Sequence, residues 1–479
     1  MNQLPTAINF RSNTRQVPPQ MSAAVQKATA KFLGNRAALV DALGNDYWQV
    51  LRQAGHDIRL HAITHIAHYL EQAEQAVTRA GGQVHWARDA EEARRILLDI
   101  AARHRVKLAV KGKSMATEEI GLNHALQAAG IRVLETDLGE YIVQLKGVGP
   151  AHIVVPAFHL SKEEIAALFR DKLGVEAPAE AEKLTQIARM KLREEFLAAE
   201  MGISGGNFLV AETGTIVTVT NEGNGRMCTT VPPVHVAVVG IDKVVPDWES
   251  LTVLLKLLAR SATGQKLSCY TQFISGPPRS AAETGPAEMH LILLDNGRTR
   301  ILQTPECRET LLCIRCGACL NICPVYNHVG GYAYGYPISG PTGVIFASQI
   351  LGPKIAGALP FASTLCGACN DICPVKIPIT RILLHLRRRV VEGDETEPAT
   401  APASLRLGAR VGALALGSTG LYRLGSRLLR RMQAPFVSVG WMERVPAPLN
   451  RWTMSRPFPA FAADFRQWWR GRHLKARHE

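Results

Sequence analysis

Two stretches of this chain nearly repeat each other: CIRCGACLNICPVY at 313–326 and STLCGACNDICPVK at 363–376. Together they hold seven of the ten cysteines, and nothing else in the sequence limits the fold so sharply. Cys313-x2-Cys316-x2-Cys319-x3-Cys323-Pro324 has the spacing of the two-cluster ferredoxin run, whose fourth cysteine ligates the neighbouring cluster. A [4Fe–4S] cube needs four converging thiolates, and three cysteines at two-residue intervals wrap one turn of chain around it. Zinc fits poorly, because structural zinc sites prefer two separated CxxC pairs. The crossing rule gives Cys313, Cys316, Cys319 and Cys373 to a first cluster and Cys323, Cys366 and Cys369 to a second. Ser363 stands where the second motif's first thiolate is expected. Three options follow: a [3Fe–4S] second cluster, Ser363 or water on its fourth iron, or Cys307 swinging in from six residues before the first motif. The 42 residues between the motifs (324–365) exceed a small ferredoxin's hairpin and favour a helical ferredoxin domain. Tyr332, Tyr334 and Tyr336 in that segment read first as core or loop packing.

The other cysteines carry no ligand spacing, and Cys228 and Cys269 are expected to be small buried hydrophobes. The N-terminus, MNQLPTAINFRSNTRQVPPQ, has no apolar signal region, and no apolar run reaches membrane-spanning length. The expectation is therefore a cytoplasmic protein, where clustered cysteines mean metal or redox chemistry rather than disulfides. Net charge is +14, and from Lys376 onward 19 Lys+Arg stand against 7 Asp+Glu. That basic tail suits a solvated face, an acidic partner or the inner face of an anionic membrane. Arg406, Arg410, Arg423, Arg427, Arg430 and Arg431 interleave there with Leu405, Leu414, Leu416, Leu421, Leu424 and Leu428. No nucleic-acid-binding module accompanies the charge, so nucleic acid is not expected as a partner.

Upstream of the cysteines the pattern alternates. QVHWA (83–87), KLAVKG (107–112), IRVLET (131–136), HIVVPAF (152–158), HVAVVGIDKVVP (235–246) and MHLILLD (289–295) read as strands. Helical periodicity falls between them, and two β-type runs flank Glu212-Thr213-Gly214. This rhythm predicts an α/β domain with a largely parallel sheet. The resulting division is a polar lead-in with a short helix (1–35), the α/β domain (36–300), the ferredoxin-type domain (301–392), a linker (393–404) and the basic C-terminal region (405–479). Three strand-end stretches look chemical. Lys111, Lys113 and Ser114 sit at a strand-to-helix turn suited to an anion; Glu135, Asp137 and Glu140 follow a strand; Glu212 and Gly214 form a tight turn.

KGKSMATEEIGLN, ETDLGEYIVQL, AETGTIVTVTNEGNGR and CIRCGACLNICPVY together resemble the B-subunit family of lactate-utilisation iron–sulfur proteins, over roughly 30–390. The family is one part of a bacterial three-protein L-lactate oxidation system. The resemblance implies an N-terminal lactate-utilisation (LUD) domain, similar in fold to sugar-phosphate isomerases and CoA transferases, and a double-cluster ferredoxin domain. It implies electron transfer during oxidation of L-lactate to pyruvate, the other two subunits as partners, and a quinone-linked or other acceptor. The family's ligands map onto the same two cysteine sets, and its seven motif cysteines mean that Ser363 is no departure peculiar to this chain. No catalytic residue is carried over, because fold similarity does not convey chemistry. Two enzyme alternatives stay open: an iron–sulfur subunit of a glycerol-3-phosphate or heterodisulfide-reductase type, or a self-contained enzyme on an anionic substrate in the α/β domain.

Overall fold

A computed structural model describes residues 6–280, 282–395, 397–446, 450, 453, 456–461, 465 and 469. The first five residues of the expected lead-in, and much of the expected basic region beyond 446, lie outside these. Met1–Thr400 forms one compact unit and Ala401–Glu479 another.

The first unit is organised by strands β1 (Gln83–Ala87), β2 (Leu108–Lys111), β3 (Arg132–Glu135), β4 (Met201–Ser204), β5 (Phe208–Val210), β6 (Thr215–Thr220), β7 (Val234–Gly240), β8 (Val244–Val245), β9 (Tyr270–Ile274) and β10 (Glu288–Leu294). Six of them form a sheet in the order β1-β10-β7-β4-β2-β3, and every neighbouring pair is parallel. The central strand VHVAVVG is buried at every position, as a sheet covered on both faces requires. The crossover helices start on side-chain caps: Asp89 accepts the Glu92 N–H and Asp247 the Ser250 N–H. A second sheet, β8-β5-β6-β9, is built on the antiparallel β5–β6 hairpin. Its turn needs Gly214, which has φ +67° and lies against the Val77 backbone.

Three expectations fail here. HIVVPAF forms no strand. Pro156 has no N–H for a ladder, and its carbonyl instead accepts the Ala151 N–H at 3.1 Å, while His152 Nδ1 accepts the N–H groups of Val154 and Val155. Strand β4 occupies MGIS, which sequence patterning missed because it is four residues long and contains a glycine. Cys228 is buried beside Thr136 as expected, but Cys269 is exposed, on the approach to edge strand β9.

Helices α1 (Phe10–Arg15), α2 (Pro19–Leu43), α3 (Asn45–Thr64) and α4 (Ile66–Arg79) precede the sheet. The segment read as a lead-in thus holds most of a 25-residue helix. Its polar composition reflects a narrow buried stripe of Met21, Val25 and Thr29, which is too sparse for periodicity to announce. Met21 and Val25 belong to the same apolar core as the cysteine motifs. Between and after the motifs run the helices Gly340–Ile350 and Ile379–Glu392.

In the second unit, the helices Ala403–Gly417 and Thr419–Gln433 have no buried residue. Among the described residues, no helix is long and apolar enough to cross a membrane.

Candidate functional site

The two cysteine motifs adopt one backbone shape. Arg315 (φ +60°) and Leu365 (φ +57°) occupy the same step, followed one cysteine later by Gly317 (φ +78°) and Gly367 (φ +85°). Left-handed Arg and Leu are costly, so both loops are held by their surroundings rather than by preference. The turn aims amides at sulfur: Arg315 N–H points to Cys313 Sγ (3.4 Å), Tyr326 N–H to Cys323 Sγ (3.5 Å) and Ile377 N–H to Cys373 Sγ (3.4 Å). In the second motif, Leu365 N–H points to Ser363 Oγ at 3.1 Å, the counterpart of the Cys313 contact.

The thiols fall into two electrostatic groups. Burial first, and then Cys313, Cys316 and Cys373 together, push the Cys319 thiol well above its ordinary range. Cys316 is raised in the same way, by burial and then by Cys373 and Cys313. Cys369 is pushed up to about 12 by burial and by its neighbours Cys323 and Cys366. Four thiols thus group in one place and three in another. Burial disfavours Cys316, Cys319 and Cys369 as free thiolates, whereas the exposed Cys366 thiol is lowered by hydrogen bonds from Thr364 and Ala368, and both groups suit thiolates bound to iron. The amide donors above are the kind that stabilise cluster-bound sulfur. The fit to two iron–sulfur clusters is good. Cys307 is fully buried, but the charged groups beside it are Arg389 and Glu306, not the thiols of the second group. Exposure differs between the groups: Cys366 is exposed, whereas the four thiols of the first group are buried. Tyr334 and Tyr336 are core residues, and Tyr332 is hydrogen-bonded to His159.

Buried cations tie this region to the sheet. Arg59, 1% exposed, donates to the carbonyls of Val244 (2.8 Å), Leu311 (2.9 Å), Leu312 (3.4 Å) and Asp242. Arg52 Nε and Nη2 donate to the Cys373 carbonyl at 3.0 and 2.7 Å. Lys243 Nζ bridges Asp242 (2.7 Å) and the Cys313 carbonyl (2.9 Å). Asp242 also receives Arg298, whose other arm grips Glu119 in two hydrogen bonds of 2.9 Å.

The residues singled out at strand ends part company. Lys111 is 1% exposed and bound to Glu118 (3.0 Å) and Glu135 (2.8 Å), so it balances buried carboxylates and is closed to any anion. Glu140, buried beside them, is held up to about 8 by burial and the Glu135 charge. Glu212 is exposed, and its turn serves the hairpin. Lys113, Ser114 and Asp137 do line a common cavity of about 400 Å³. It opens where β2, β4 and β7 end, at Gly112, Ser204-Gly205-Gly206 and Gly240, the usual ligand position of an open parallel sheet. Glycine is needed at 205, where a Cβ would lie 2.5 Å from Ser114 Oγ. Ile314, Arg315 and Cys316 form part of its wall. The sequence signal for this wall was the Gly205-Gly206 pair after an apolar run; its contact with the first cysteine motif had none.

The LUD domain family matches residues 70–294, and the 4Fe-4S dicluster domain family matches residues 309–377. Lactate utilization protein B of Bacillus cereus strain AH820 is 42% identical over 94% of this chain and 94% of its own. Lactate utilization protein B of Bacillus thuringiensis strain Al Hakam is also 42% identical, with the same coverage. A solved structure of a DUF162 family protein from Deinococcus radiodurans covers 48% of this chain and 98% of its own, at 16% identity and a TM-score of 0.28.

Proposed function

The chain belongs to the lactate utilization protein B family, and on that premise we propose how its residues serve as the iron–sulfur subunit of lactate oxidation. The observation that carries the reading is the gathering of seven motif thiols into a group of four and a group of three. Cys313, Cys316, Cys319 and Cys373 would hold a first [4Fe–4S] cluster. Cys323, Cys366 and Cys369 would hold the second, with Ser363 Oγ in the fourth position. Bound there, the clusters supply two one-electron redox sites. The protein's part is to keep the first set buried, to donate amides to its sulfurs, and to bring the second set to the surface at Cys366. Electrons then enter near the α/β domain and leave at the exposed second set, so the chain acts as an electron carrier within the system rather than as the isolated catalyst.

The partners that follow are the other two lactate-utilisation subunits and a quinone-linked or similar acceptor. Peripheral contact with an anionic membrane is supported by Thr419–Gln433, where Leu421, Leu424 and Leu428 and the arginines 423, 427 and 430 recur at helical spacing with nothing buried. The finer fold reading, an isomerase- and CoA-transferase-like α/β domain joined to a helical ferredoxin domain, is supported by the parallel sheet and by the helices between and after the motifs.

The test is spectroscopic and genetic. Anaerobically purified protein should contain iron and sulfide for two clusters and give a reducible EPR signal, and deletion of the gene should abolish growth on L-lactate. Protein without reducible clusters, or undiminished growth, would sink the reading.

A further inference from the structure

The end of the parallel sheet opposite the cavity gathers a separate set of ligand atoms. Strand β10 begins with Glu288 and carries His290 two residues on, so both side chains project from one face. The helix Ala90–Arg103 packs on that face, and His104 follows its last turn. Glu288 Oε2 lies 3.3 Å from His104 Nε2 and 3.3 Å from His290 Nε2. The three ligand atoms all lie within 4.8 Å of one another. His290 is 0% exposed, and among the described residues its Nε2 has no hydrogen-bond partner. A buried polar atom left so is costly and is normally explained by something that binds there.

The neighbours narrow what can bind. His290 Nδ1 and His85 Nε2 are 3.1 Å apart. With its proton on Nδ1 and donated to His85, His290 keeps the Nε2 lone pair free on the side of Glu288, as a metal-bound imidazole with an outer partner does. One ion pair would account for one imidazole beside Glu288, not for two converging on the same oxygen. In tetrahedral zinc sites, bonds of about 2.0–2.1 Å put ligand atoms about 3.3 Å apart, the spacing of both pairs here. Two imidazoles and a carboxylate are a ligand set that zinc uses when it keeps an open position. A single carboxylate does not suit calcium or magnesium, which take several oxygen ligands. The C-terminal end of a helix, where His104 sits, also favours a cation.

We propose that His104 Nε2, Glu288 Oε2 and His290 Nε2 bind a divalent ion of the zinc class, with water as the fourth ligand. The ion ties the end of the helix Ala90–Arg103 to the first residues of β10, beside the edge strand β1 that carries His85. The seven residues of β10 span about 20 Å, and the cavity and the cysteine loop in its wall lie toward the other end of the sheet. The ion therefore clamps the fold and leaves the redox chemistry of the clusters untouched. The site is independent of the lactate reading.

The experiment is isothermal titration of zinc chloride into the full chain, purified anaerobically with its clusters, followed by zinc X-ray absorption of the loaded protein. The expected result is one zinc per chain at unchanged iron content, in a shell of nitrogen and oxygen with imidazole scattering and no sulfur. His104→Ala and Glu288→Gln change partly exposed side chains and should each weaken binding at least about 100-fold while the iron stays. His85→Phe removes only the outer partner and should weaken it about tenfold. Zinc should raise the melting temperature of the wild-type chain, a shift that both ligand variants lose. A chain that takes up no zinc overturns the proposal. So does a sulfur shell, which would put the zinc on cysteines, and so does binding that His104→Ala and Glu288→Gln retain in full.

Discussion

Ser363 is held in the pose of Cys313: its Oγ faces the N–H of Leu365 at 3.1 Å as Cys313 Sγ faces the N–H of Arg315 at 3.4 Å. The second motif has kept the ligand loop and changed only the ligand atom. Ser363→Ala is therefore expected to lower the iron content by one per chain and to bring up the EPR signal of an oxidised three-iron cluster. Ser363→Cys should keep four irons in the second site and raise its reduction potential, since a hard oxygen ligand favours ferric iron more than thiolate does. Unchanged iron content and EPR in Ser363→Ala would remove Ser363 from the ligand set.

Arg59 joins the sheet to the entrance of the first cysteine motif through carbonyls on both. Arg59→Met keeps most of the apolar stem and leaves those buried acceptors without a donor. The expected loss is about 3 kcal/mol or more, by the usual cost of unsatisfied buried polar groups. Chemical unfolding of the cluster-loaded protein measures it, and a loss under about 1 kcal/mol would show that water replaces the guanidinium there.

Lys111 faces three buried carboxyl groups, Glu118, Glu135 and Glu140, so one of them has to hold a proton. Glu140, raised to about 8, does so at neutral pH. The folded state then binds more protons than the unfolded state from the ordinary carboxyl range up to about 8, so stability falls as pH rises through that window. Glu140→Gln should flatten this decline and gain roughly 3 kcal/mol over wild type at pH 8, with little difference at pH 4. Melting temperatures across that range decide it; parallel curves for the two proteins would refute the assignment.

Removing residues 401–479 takes away the second compact unit whole. The shortened chain should keep its iron and its EPR signals and lose sedimentation with phosphatidylglycerol vesicles. Wild-type binding should weaken as salt rises, because arginine–lipid attraction is screened. Equal sedimentation of both chains would exclude the tail as the membrane contact.

The parts legible from sequence were those encoded locally. Cysteine spacing is a contiguous signal, and strands such as β7 and β10 declare themselves as apolar runs. The residues 151–158 misled because Val154 and Val155 favour strands, whereas Pro156 and the His152 ring decide the backbone. Lys111 looked like an anion ligand because its carboxylate partners at 118 and 135 come from other elements of the fold. The strand-end stretches pointed to part of the cavity, through Lys113, Ser114 and Asp137, but its other walls, at 204–206, at 240 and on the cysteine loop at 314–316, could not be joined to them from sequence. Parallel sheets assemble their sites from segments far apart in sequence, and a single sequence carries no sign of which ends meet.

Asn13 donates to the Ala333 carbonyl and Ser22 to that of Asn327, across 320 and 305 residues. The N-terminal helices thus pack against the cysteine-bearing segments as well as against the sheet, and they leave the ribosome long before those segments. Those helices wait through the synthesis of the whole sheet for their partners. A fragment beginning near residue 301 would leave uncovered the faces that Met21, Val25 and Trp48 share with the cysteine motifs. A stand-alone version of the electron-carrying half therefore has to be spliced from both ends of the first unit, with a short connection replacing the sheet.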